Sequence, residues 1–139
     1  PVKLSGESLK GLGQGTGLLG LPGDYTPPSR FVRAVAFSLA AKQQDTAEQG
    51  VTMALHIINT FDIFEGIVAD KKPGSKPEYD ITQWITISDL KNKRIYFRTY
   101  DDLNIRYVDL HKLDFSAGKP KFIPMQGTQR FQDVSAATE

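Results

Sequence analysis

Residues 31–41 carry Phe31, Val32, Val35, Ala36 and Leu39 at helical spacing, which predicts a helix with a single apolar stripe. Thr26 is placed to cap that helix, and Pro27 falls at its first position, where a missing N–H costs no hydrogen bond. A second helix is signalled by Thr46 with Gln49, or Asp45 with Glu48, at capping-box spacing. Val51, Ala54, Leu55, Ile58 and Phe61 then repeat on one face, and the polar residues 42–45 form the turn between two packed helices. After Ile67 the period changes. Residues 70–78 are rich in Lys, Pro and Gly and predict an exposed loop. Beyond it Ile81, Ile85 and Ile87 alternate with Thr82, Trp84 and Thr86, the two-residue period of a strand. Ile95, Phe97 and Thr99 alternate with Tyr96 and Arg98 in a second strand, and residues 104–110 make a third. Three strands joined by short turns predict an antiparallel meander, so the fold class is α+β with helices on one face of the sheet. Apolar residues on both strand faces predict a sheet covered on both sides, the second side by something outside this chain.

The first 28 residues follow neither period. Seven of the twelve glycines lie there, with Pro22, Pro27 and Pro28. Ordering such a segment costs much backbone entropy, so a backbone function or the wrapping of another surface is expected. A flexible linker is the alternative, but Leu18, Leu19 and Leu21 are too apolar for one. Residues 116–139 predict an edge segment followed by a frayed polar end.

Composition narrows the function. Seventeen basic residues against sixteen acidic ones, a net charge of +1, remove the electrostatic case for nucleic-acid binding. No apolar run approaches the roughly 18 residues of a spanning helix, so no membrane partner is expected. Without cysteine the chain has no thiolate nucleophile and no Cys-based metal site. It begins at Pro1 and not Met, which points to a cleavage product or a part of a longer protein.

The candidate chemistry is sparse. Gly15, Gly17 and Gly20 match a dinucleotide fingerprint formally, but Pro22 and Gly23 interrupt the helix it requires, so no nucleotide cofactor is expected. Of the two histidines, His56 has no Asp, Glu or Cys at ligand spacing, and His111, at a strand end among Asp109, Lys112 and Asp114, reads as surface in preference to ligand, so no metal is expected. Pro1 offers a secondary amine that could act as a base. Arg30 and Arg33 are more informative. Both stand in the first turns of the predicted helix, where the macrodipole disfavours a cation. Either is a surface ion pair, with Asp24 as the candidate carboxylate, or an electrostatic element at a cleft, poised to stabilise developing negative charge.

Residues 13–33 carry a Gly-rich loop, then L-P-G-D at 21–24, then T-P-P-S-R-F-V-R at 26–33. This run closely resembles the choloylglycine hydrolase family of conjugated bile acid hydrolases and penicillin V acylases. His56-Ile57-Ile58-Asn59 resembles the family's second helix, and Tyr96-Phe97-Arg98-Thr99-Tyr100 with Val108-Asp109-Leu110 resembles its last two strands. Asp80-Ile81-Thr82-Gln83-Trp84 and Asp101-Asp102-Leu103 look more like the Gram-negative branch.

The resemblance implies an N-terminal nucleophile hydrolase fold, a four-layer αββα sandwich. This chain would be the C-terminal portion of one such domain: a Gly-rich assembly and substrate loop over 1–25, two helices over 26–64, antiparallel strands over 79–115 and a tail over 116–139. It implies an amidase cleaving linear C–N bonds through an N-terminal cysteine absent from this chain, with no cofactor. Of the family's catalytic residues only the Arg of S-R-F maps here, onto Arg30. Leu18, Leu19 and Leu21 would wall the acyl pocket, and residues 1–13 would serve assembly. The implied partners are the N-terminal part of the same enzyme carrying the cysteine, a small acyl-amide substrate and three further copies in a homotetramer. The branch implies the periplasm, with the cytoplasm as alternative. A rival reading is a non-catalytic binding or assembly module of the same fold.

Overall fold

The computed structural model describes residues 3–4, 7–8 and 14–135. The chain divides into two compact units, Pro1–Ala40 and Ala41–Glu139. Pro1 and most of the segment expected to serve assembly lie outside the described residues.

In the first unit, β1 (Lys3–Leu4) pairs antiparallel with β2 (Glu7–Ser8). A short 3-10 turn at Thr16–Leu18 leads through residues 19–26 into α1 (Pro27–Ala40). Pro27 opens α1 as its fixed φ allows. The Thr26 carbonyl accepts the first intrahelical bond from the Arg30 N–H at 3.0 Å, which is the backbone role of a cap. Its hydroxyl does something else, donating to Asp24. The apolar stripe of α1 is present, but Phe31, Val32, Val35 and Leu39 are exposed, and the buried residues of this helix are Ser29 and Arg33.

The second unit is built on α2 (Ala47–Asn59) and a meander of β5 (Trp84–Asp89), β6 (Arg94–Thr99) and β7 (Arg106–Asp109), in that order across the sheet. β3 (Ala69–Asp70) and β4 (Glu78–Tyr79) precede it. Thr46 caps α2 with the complete reciprocal box: its side chain accepts from the Gln49 N–H, and the Gln49 side chain accepts from the Thr46 N–H. The expected loop at 70–78 is the turn of the small hairpin, in which Ala69 faces Tyr79 and Asp70 faces Glu78. The first long strand starts later than the sequence period implies, at Trp84. Upstream of it the Thr82 N–H bonds to the Ile63 carbonyl at 3.0 Å, so that residue is tied to the segment after α2.

Register settles which side chains share a face. Ile85 lies opposite Arg98 and Ile87 opposite Tyr96, so these four share one face, the face on which α2 packs against β5. Val51 and Ile85 are buried there. Phe97 points to the other face, where it is 7% exposed beneath the Arg106 guanidinium, 4.9 Å from its ring centroid. On that second face Trp84 and Ile95 stay open to solvent. The β5–β6 turn is fixed by Asp89, whose carboxylate accepts from the Asn92 backbone and side-chain amides, and by Lys93 in the left-handed region at φ 51°. The tail is not a sheet edge: residues 119–134 form no strand. No helix among the described residues is long and apolar enough to cross a membrane.

Candidate active site

The loop ahead of α1 makes two successive turns. The Leu18 N–H bonds to the Gly15 carbonyl at 3.0 Å, and the Leu21 N–H to the Leu18 carbonyl at 3.2 Å. Gly15 and Gly20 take φ values of 90° and 91°, a region where a Cβ is strained, so glycine is required at both. The turns bring Leu18, Leu19 and Leu21 onto one short stretch; Leu18 and Leu19 are exposed and Leu21 is half-buried.

Asp24 organises the junction between loop and helix. Its Oδ1 accepts from the Thr26 backbone N–H at 2.9 Å and from the Thr26 hydroxyl, and its Oδ2 accepts from the Ser29 hydroxyl at 2.6 Å. These donors, Ser29 foremost and Thr26 next, hold the carboxyl well below the usual carboxylate range. Its charge also sits ahead of the α1 N-terminus, where the helix dipole favours an anion.

The two arginines are treated differently. Arg33 is 8% exposed, and its Nη1 donates to the carbonyl oxygens of Pro22 and Asp24, each at 2.7 Å. Two main-chain carbonyls thus hold this guanidinium. The expected pairing of Asp24 with an arginine does not form, because hydroxyl and backbone donors already occupy both carboxylate oxygens. Arg30, one turn earlier, is half-buried and has no hydrogen-bond or ion-pair partner among the described residues. No hydrogen bond joins it to the leucine turn among those residues. The result is a loop braced by Arg33, beside a guanidinium with no bond to any described residue.

Sequence reasoning missed a second polar cluster. Arg98, 4% exposed, donates through Nη2 to Asn59 Oδ1 at 2.9 Å and to the Asp62 carboxylate. Leu55, Leu103 and Ile105 complete a cavity of about 310 Å³ around this group. The available signal was a charged residue, Arg98, flanked by Phe97 and Thr99 in an alternating strand.

Comparison with known proteins decides the family. Residues 1–123 match the model of linear amide C–N hydrolases, choloylglycine hydrolase family. The chain belongs to the choloylglycine hydrolase family. A bile salt hydrolase/transferase of Clostridium perfringens is 34% identical over 119 residues, covering 86% of this chain and 35% of that relative. A variant of the conjugated bile acid hydrolase from Clostridium perfringens superposes with a TM-score of 0.71 at 31% identity, over 96% of this chain and 40% of that structure. Penicillin V acylase from Agrobacterium tumefaciens gives a TM-score of 0.61 at 26% identity, over 74% of this chain and 31% of that structure. The chain thus spans about a third of the length of the curated choloylglycine hydrolase relatives it matches. Within that family's N-terminal nucleophile hydrolase fold it supplies two helices and a three-stranded antiparallel meander.

Proposed function

We propose that the complete protein is an amidase of the penicillin V acylase or bile salt hydrolase type, and that this chain furnishes its charged and apolar substrate-facing groups. The observation that carries the reading is the contrast between Arg30 and Arg33 inside the family's matched region. Arg33 is consumed in bracing the loop, while Arg30 keeps its donors for something outside the described residues. On this reading a cysteine at the N-terminus of the enzyme's remaining part attacks the amide carbonyl. Arg30 stabilises the thiolate and the tetrahedral oxyanion through charge-assisted hydrogen bonds. Leu18, Leu19 and Leu21 wall the acyl pocket, the exposed apolar surface of Leu18 and Leu19 being what an acyl group would cover. Homotetramer assembly through residues 1–13 and a periplasmic location belong to the same proposal and rest on the sequence resemblance.

The test is Arg30→Ala in the complete enzyme, assayed against penicillin V, a conjugated bile salt and an acyl-homoserine lactone. Turnover of the preferred substrate should fall on the order of 10²–10³-fold while the far-ultraviolet circular dichroism is retained. Near-normal turnover would reject the role of Arg30. A parent protein that turns over no acyl amide would support the non-catalytic module instead.

A further inference from the structure

The family match ends at residue 123, and the structure places a second kind of site just beyond it. Residues 125–129, which form no helix or strand, are fastened at several points to the turn between β6 and β7 and to the first residue of β7. Arg106 donates through Nη1 to the Gln126 carbonyl at 2.9 Å and through Nη2 to the Met125 carbonyl. The Leu103 N–H donates to Gln129 Oε1 at 2.7 Å. Asp102, 3% exposed, lies 3.3 Å from Arg106 Nη2, and its Oδ1 accepts from the Asn104 backbone and side-chain amides at 3.2 and 2.7 Å. The guanidinium carbon lies over the Phe97 ring, 4.9 Å from its centroid.

Gly127 is pressed into this arrangement. A Cβ there would lie 2.0 Å from Asp102 Oδ2 and 2.9 Å from the Arg106 guanidinium carbon. Asp102 cannot yield: its side chain is short, buried and held by Asn104 on one oxygen and Arg106 on the other. The surface therefore reads mainly main chain: two consecutive carbonyls, then a residue without Cβ, with one side-chain contact, to a glutamine two positions on. The fastened segment forms one wall of a groove of about 660 Å³ whose other wall includes Gln83, Trp84 and Thr99. Trp84 is 55% exposed in that groove.

We propose that Asp102, the Leu103 N–H and Arg106 form a peptide-docking site for a glycine-containing segment, and that the chain's own residues 125–129 are its occupant, a clasp holding the strap against the Trp84 groove. The inference is independent of the amidase reading. Because Arg106 binds carbonyls and Asp102 excludes any Cβ, docking depends on Gly127 far more than on its neighbours' side chains.

Two readouts test the clasp in the full chain. Trypsin can cut at Lys121–Phe122 and Arg130–Phe131, on either side of the clasped residues. Gly127→Ala should speed both cuts about tenfold, since cleavage follows the population of the released strap, and Gln129→Ala should speed them less. Amide protection of β6 should persist in both variants. Unchanged cleavage in Gly127→Ala, or loss of β6 protection in both variants, would overturn the proposal. Trp84, the sole tryptophan, gives the second readout. Its emission should shift to the red in Gly127→Ala and return on adding a synthetic peptide of residues 122–131. The same peptide with Ala in place of Gly127 should have no effect. Equal effects of the two peptides, or none from either, would refute docking by main-chain recognition.

Discussion

The two units of this chain hold their shape by opposite means. In Pro1–Ala40 the buried described residues are Ser29 and Arg33, both polar, while Leu18, Leu19 and the α1 stripe face solvent. In Ala41–Glu139 the buried apolar residues lie on both faces of the sheet, Val51 and Ile85 on the α2 side and Phe97 on the other, and Arg98 and Asp102 are buried as well. Burial of apolar area is strong but non-directional; hydrogen bonds contribute only about 0.5–1.5 kcal/mol each but fix orientation. The first unit is therefore specified in geometry and weak in energy, which suits a loop that presents groups to chemistry. The second carries the stability. Substitutions should separate these two modes.

The largest loss should come from Phe97→Ala. The ring is buried on the second sheet face and supports the Arg106 guanidinium, so truncation leaves a cavity and removes the stacking surface together. Urea denaturation should show a loss of about 3–5 kcal/mol. The Asp24–Ser29 bond should be untouched. A loss under about 1 kcal/mol would mean that the second unit is not held by its apolar core, and the contrast would fail.

Arg33→Ala comes next, at about 2 kcal/mol for two charge-assisted bonds to carbonyls, and confined to the first unit. Hydrogen exchange should quicken at the Leu18, Leu21 and Arg30 amides and stay slow through β5 and β6.

The third expectation concerns acid. Asp24 has its carboxyl lowered from 3.8 by Ser29 and Thr26. A depressed value in the folded chain means that folding favours the ionised form. The stability this gives is complete above the unperturbed value and is lost only as the pH falls through the lower folded one. A carbon-detected titration of Asp24 should show no inflection between pH 8 and pH 3.8. Asp24→Asn should mimic the acid state at neutral pH, loosening the loop ahead of α1. An Asp24 midpoint at or above its ordinary value would show that the hydroxyl network is not formed.

Much of this was legible in residue order, and the omissions have physical causes. Periodicity located both helices and the three strands, and the Thr46–Gln49 box fixed the start of α2, because capping and amphipathic spacing are local properties. The start of β5 was placed early, since Ile81 continues the alternation although Thr82 is held by Ile63. Of the two alternatives the sequence leaves open at Arg30 and Arg33, charge compensation by Asp24 is not what the loop-to-helix junction forms. The junction is a hydroxyl and carbonyl network, because Ser29 and Thr26 are nearer competitors for the same oxygens. Arg98 with Asn59 and Asp62, and Arg106 with the strap, join residues about twenty or more positions apart. Such pairings depend on tertiary approach, which no local pattern encodes.

The smallest expected effect is on Arg30, and it sharpens the contrast between the units most. Arg30 has no partner among the described residues, so Arg30→Ala removes no bond among them. It takes a cation away from the positive end of α1, and alanine is the better helix former. Stability should change by less than about 0.5 kcal/mol, if anything upward. The adjacent Arg33→Ala should cost several times more, although both side chains leave the same helix one turn apart. A destabilisation by Arg30→Ala as large as that of Arg33→Ala would mean that its guanidinium is already spent in holding the fold. A stable Arg30→Ala chain alongside a complete enzyme that loses turnover would separate function from folding at a single side chain.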